Sequence, residues 1–163
     1  EKKENVFYYI TAMNENYTHP EKPKGCEEGI LKGMYLFKEN NNKGKIVNIA
    51  SIYGSRSSDE RIYGDSGRNN SEVYSATKAG VINLTKYMAA HFGKYNIQTN
   101  SISPGGIFNN QTSEFIDNYE YKTPMHRMGN EQDLISTLRY LISDESNYTN
   151  GQDIAVDGGF LSW

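Results

Sequence analysis

Lys45-Ile46-Val47-Asn48-Ile49-Ala50-Ser51 is the stretch on which the fold turns. Its apolar residues run nearly without a break, where a strand with one wet face would alternate. A strand of that kind belongs in a parallel sheet buried on both faces. Downstream, Val73 to Phe92 has helical periodicity: Ala76, Gly80, Leu84, Met88 and Phe92 recur four apart, with Val81 and Tyr87 beside them. That stripe is the predicted packing face, and Gly93 is a stop signal. Ile97 to Ser103 alternates as a strand and ends at Pro104-Gly105-Gly106. Asn130 opens a second helix, with Asp133 in its first turn and Leu134, Leu138, Leu141 and Ile142 on one face. Gln152 to Val156 is a last short strand, closed by Asp157-Gly158-Gly159. Strands alternating with helices in this way predict an α/β protein with a parallel sheet and helices on its faces.

The flanking and connecting segments are less regular. Val6 to Ile10 is of strand type, Asn14 to Gly25 is a loop, and Gly29 to Lys38 has about two helical turns' worth of apolar residues. Ser55 to Ser71 is dense in Ser, Asp, Arg, Asn and Gly, which predicts a long exposed loop. Ile107 to Pro124 is polar with scattered aromatics and shows no clear period.

A length of 163 residues allows one domain, 1–163, with a real core but not two large ones. Hydrophobic residues are only 36%, yet the regular apolar pattern from Tyr74 onward argues against disorder. A net charge of -3 gives no electrostatic case for nucleic acid or an anionic membrane. The single cysteine, Cys26, rules out an internal disulfide, and His19, His91 and His126 have no partner at metal-ligand spacing. No stretch reads as a signal peptide or a spanning helix, so a cytoplasmic protein is expected.

Tyr74 and Lys78 lie four apart in the first predicted helix, so they share one face about one turn apart. A free tyrosine, with a pKa of about 10, is too weak an acid for proton exchange at neutral pH. A neighbouring ammonium favours the phenolate and makes the pair a candidate general acid/base. Ser51 ends the preceding strand, where ligands of doubly wound sheets sit, and its hydroxyl could hold a carbonyl oxygen beside the phenol. Tyr-x-x-x-Lys alone is a weak signal, because most such pairs are surface neighbours. The surrounding residues give it weight.

From Gly44 to the C-terminus the chain resembles the short-chain dehydrogenase/reductase family. The strand ending in Ser51, the Tyr74-Ser75-Ala76-Thr77-Lys78-Ala79-Gly80 run, Pro104-Gly105 and Val156-Asp157-Gly158-Gly159 stand in the family's order. The resemblance implies a partial Rossmann-like, doubly wound sheet with 44–163 as its catalytic half and 1–43 divergent. It implies Ser51, Tyr74 and Lys78 as catalytic residues, and NAD or NADP as cofactor. Contacts to that cofactor would come from Tyr74, Lys78, Ile49, Pro104, Gly105 and Ile107. The substrate would be a small alcohol or carbonyl compound, a sugar derivative as in flagellin-modification members or an acyl chain as in 3-oxoacyl-carrier-protein reductases. Homodimers or homotetramers built on the tyrosine-bearing helix are also implied.

Three features depart from the family pattern. No glycine-rich phosphate-binding turn occurs in the chain, so the N-terminal βαβ half that cradles the pyrophosphate is expected to be absent. Ile30 stands where the family carries a catalytic asparagine. The 22 residues between Ser51 and Tyr74 exceed the family's usual spacing, and the insertion carries Arg56, Arg61 and Arg68. Those arginines suit either a solvated surface loop or recognition of an anionic substrate. Ile107 to Met128 is the expected substrate lid. The intact Ser51, Tyr74 and Lys78 favour an enzyme. The missing turn favours a non-catalytic remnant serving as an interaction subunit.

Overall fold

The computed structural model describes residues 44–67 and 69–163. The strand, loop and helix expected within 1–43, together with Cys26, Ile30 and His19, and also Arg68, lie outside the described residues. Strands β1 (Gly44–Ile49), β2 (Ile97–Pro104) and β3 (Asp153–Val156) form a parallel sheet in that order. Helix α1 (Glu72–Phe92) connects β1 to β2, and α2 (Ser113–Lys122) and α3 (Glu131–Ile142) connect β2 to β3. These are the crossovers that parallel pairing requires.

The period of two along each strand divides the sheet into two unlike faces. Val47 and Ile102 point to α3 and are buried with Leu141, flanked by Ile49, Leu134 and Leu138. Asn48 points the other way, and its Nδ2 donates to Thr85 Oγ1 of α1 at 2.9 Å. Helix α3 begins as its sequence predicts: Asn130 caps Gln132 and Asp133, and the Asp133 carboxylate accepts the Asn130 N–H at 2.8 Å. This reciprocal pairing satisfies amides that have no intrahelical acceptor.

Three expectations need correction. The predicted packing stripe of α1 is not the buried face: Ala76, Gly80 and Leu84 are exposed, while Lys78, Thr85 and Ala89 are buried. Lys78 and Thr85 have hydrogen-bond partners on β1, so the polar residues turn inward and the apolar stripe faces outward. The insertion is not wholly exposed loop either. It contains a 3-10 helix (Glu60–Ser66), and Ile62 within it is completely buried beside Ile52, Tyr53, Tyr119 and Phe160. Finally, the aperiodic segment after Pro104 contains α2, capped by Thr112 and anchored by buried Tyr119. Among the described residues no helix is long and apolar enough to cross a membrane.

Candidate active site

Ser51 lies two residues beyond β1, at its carboxyl end, and caps a short 3-10 turn (Ile52–Gly54). Its buried Oγ accepts the Tyr53 N–H at 3.2 Å, which leaves the hydroxyl proton free to be donated elsewhere. Gly54 permits the next contact. A Cβ there would lie 2.7 Å from the Lys78 carbonyl carbon, so only glycine lets this turn press against α1.

On α1, Ser71 caps the helix by accepting the Tyr74 N–H at 3.3 Å, and Tyr74 therefore sits in the first turn. One turn on, the Lys78 ammonium donates to the Ile49 carbonyl at 3.0 Å and stands 5.7 Å from the centre of the Tyr74 ring. Lys78 is 8% exposed, and burial lowers its pKa. The Tyr74 ring packs against the cluster that contains Ile52 and Tyr53, the residues that follow Ser51. Lys78 thus joins Ile49 at the carboxyl end of β1, and Tyr74 packs on the residues that follow Ser51.

Pro104 ends β2, and the Gly105 N–H donates to the Val156 carbonyl at 2.9 Å. The Gly106 N–H donates to the phenol oxygen of Tyr119, whose pKa burial pushes up to about 12. Ile107 bridges to Gly129, and its carbonyl accepts Gln111 Nε2 at 2.9 Å. A cavity of about 170 Å³ flanks this turn, lined by Gly105, Arg127, Asp133 and Asp157 among others. It does not reach Ser51, Tyr74 or Lys78.

The two insertion arginines among the described residues, Arg56 and Arg61, are already engaged. Arg61 makes a two-pronged pair with Asp59 at 2.8 Å. Arg56 lies over the Phe160 ring and donates to the Trp163 carbonyl at 3.1 Å.

The sequence and fold can be set beside known proteins. The family model described as enoyl-(acyl carrier protein) reductase matches residues 31–161. This chain belongs to the short-chain dehydrogenase/reductase family. A short-chain dehydrogenase of Leptospira borgpetersenii, solved with bound NAD+, is 51% identical with a TM-score of 0.69, over 74% of this chain and 45% of that one. The 7alpha-hydroxysteroid dehydrogenase of Bacteroides fragilis is 41% identical over 71% of this chain and 43% of its own length. Post-translational flagellin modification protein A of Campylobacter coli is 32% identical over 76% of this chain and 48% of its own. The short-chain dehydrogenase/reductase chain described here therefore spans about half the length of such relatives.

Sequence reasoning missed Asp59, Tyr63 and Tyr119, which surround the site. Burial raises the pKa of both Tyr53 and Tyr63, and each phenol shifts the other. A signal for Tyr63 did exist: Ile62-Tyr63 is the one apolar pair inside the polar insertion.

Proposed function

We propose that this chain is the substrate-side portion of an NAD- or NADP-dependent oxidoreductase that moves hydride between the nicotinamide and an alcohol or carbonyl substrate. The observation that carries this reading is the placement of Lys78. Its ammonium is buried, fixed by the Ile49 carbonyl and set beside the Tyr74 ring, rather than spread into solvent as an ordinary helix lysine would be. Ile49 takes one of its three N–H groups, so two remain to hold the hydroxyls of a ribose. The nicotinamide, when bound, supplies or accepts the hydride. Tyr74 exchanges the proton at the substrate oxygen, with the Lys78 ammonium beside its ring. Ser51 donates its uncommitted hydroxyl proton to the same oxygen and orients it. Pro104, Gly105 and Ile107 form the backbone edge on the nicotinamide side.

The substrate class is supported only as a small alcohol or its carbonyl partner. A steroid dehydrogenase and a flagellin-modification protein match nearly the same share of this chain, so the match does not favour one substrate over the other. A second copy of the chain is the expected macromolecular partner, meeting the exposed stripe of α1 that includes Val73, Leu84 and Tyr87.

Replacement Tyr74→Phe tests the reading. Turnover of the intact gene product with NAD or NADP and a panel of secondary alcohols should fall about 10²–10⁴-fold, with cofactor affinity nearly unchanged. Undiminished turnover would remove Tyr74 from the mechanism. A wild-type protein that neither binds cofactor nor turns over would instead support the interaction-subunit reading.

A further inference from the structure

The insertion and α2 are joined at three places. At the C-terminal end of α2, Lys122 makes an ion pair with Asp59, whose side chain is only 12% exposed. Asp59 is itself fixed, since it caps the 3-10 helix by accepting the Arg61 N–H at 3.1 Å and pairs with the Arg61 guanidinium. At the N-terminal end of α2, the Tyr63 ring packs on Phe115 with ring centres 5.1 Å apart. At the same N-terminal end Gly64, at φ 53° and ψ -144°, lies so close to Glu114 that any Cβ there would overlap its carboxylate. That backbone region is open essentially to glycine alone.

Each partner of this junction also reaches the candidate site. Tyr63 packs against the same buried cluster as Tyr74, a cluster that includes Tyr53, two residues from Ser51. From α2, Tyr119 accepts the Gly106 N–H of the turn that follows β2, and its ring stacks on Phe160 at 4.8 Å.

We propose that Asp59 and Tyr63 are positioning residues, through which the insertion clamps both ends of α2 and so holds Tyr119 against the Gly105-Gly106 turn. The insertion then does the work of a strut. The segment that would otherwise be free to swing over the site is pinned by an ion pair at one end and a ring contact at the other. A partly buried ion pair loses more when one partner is removed than an exposed one does, because the remaining charge is left without its counter-charge. The bearing of the clamp on catalysis rests on the proposed function, but its existence does not.

Amide hydrogen exchange on the chain, with Asp59→Asn, Tyr63→Ala and Tyr63→Phe, tests the clamp without needing turnover. Asp59→Asn and Tyr63→Ala should each speed exchange about tenfold in α2 and at Gly106, while α3 and β1 keep wild-type rates, because opening is local. Tyr63→Phe keeps the ring contact and should keep α2 protected. Unchanged α2 and Gly106 exchange in both disruptive variants overturns the proposal. So does an acceleration spread equally over α2, α3 and β1, which would mean general loss of stability. If Tyr63→Ala does not fold, Asp59→Asn, which leaves the aromatic cluster intact, decides the matter by the same comparison.

Discussion

Replacing Thr85 by Val should destabilise the chain although it removes no bulk. Thr85 is 1% exposed, and its Oγ1 accepts the Asn48 side-chain N–H at 2.9 Å while donating to the Val81 carbonyl. Valine has nearly the same shape, so no cavity opens. What changes is that the Asn48 amide, 7% exposed, keeps its place in the sheet without an acceptor. A buried donor left unpaired costs about 1–3 kcal/mol. Unfolding entropy of about 2.1 cal/mol/K per residue gives a chain of this size about 0.3 kcal/mol per kelvin, so Tm should drop about 3–9 °C. Thermal unfolding followed by circular dichroism measures it. The double variant Asn48→Leu/Thr85→Val removes both polar partners and should recover most of the loss, since replacing both ends by apolar groups is nearly neutral. A Thr85→Val protein within about 0.5 kcal/mol of wild type would refute the reasoning, because surface-like tolerance is incompatible with an obligatory bond.

Two further outcomes can be checked directly. Hydrogen bonds from Arg127 and from the Asn130 N–H hold the Asp133 pKa down at about 2, below the ordinary carboxylate value. A depressed pKa means its support of α3 is complete above about pH 4 and is lost as pH falls toward 2, so exchange at the start of α3 should quicken there and Asp133→Asn should abolish the pH dependence. Leu84, half exposed on the outer stripe of α1, should become Glu without loss of Tm but with loss of self-association in sedimentation velocity if a second copy covers that stripe.

The sheet and two of its helices were legible because their signals are local. A nearly unbroken apolar run marks β1, and an Asn130 cap with Asp133 three residues on marks α3. The inner face of α1 was not legible. Apolar periodicity points to Ala76, Gly80 and Leu84, and only the positions of Asn48 and the Ile49 carbonyl show why Thr85 and Lys78 turn inward instead. Helix α2 has low overall hydrophobicity and hid among polar residues. Its readable marks were Thr112 as a cap, Glu114 in the first turn, and Phe115 and Tyr119 four apart. The expectation that Ser51, Tyr74 and Lys78 act together came from motif order alone. The close approach of the turn after Ser51 to α1 depends on Gly54, whose role shows only when the Lys78 backbone is seen against it.

The two faces of the sheet divide the labour of building the site. The α3 face is apolar, with Val47, Ile102 and Leu141 buried together, and burial of that kind stabilises without dictating position. The α1 face is polar. The register sets Asn48, Ser101 and Asp153 side by side, Asn48 bonds to α1, and the hydroxyls of Ser101 and Ser103 donate to the Asp153 carboxylate at 2.7 and 2.8 Å. Hydrogen bonds are directional, so a slip of either strand or of α1 would leave several buried groups unpaired at once. Such a face costs more to form than an apolar one, and it admits only one register. That exchange suits a structure in which Ser51 hangs from the end of β1, Gly105 from the end of β2, and Lys78 must reach Ile49 from α1. The polar side of the sheet is therefore where the geometry of the site is decided, and the apolar side is where its stability comes from.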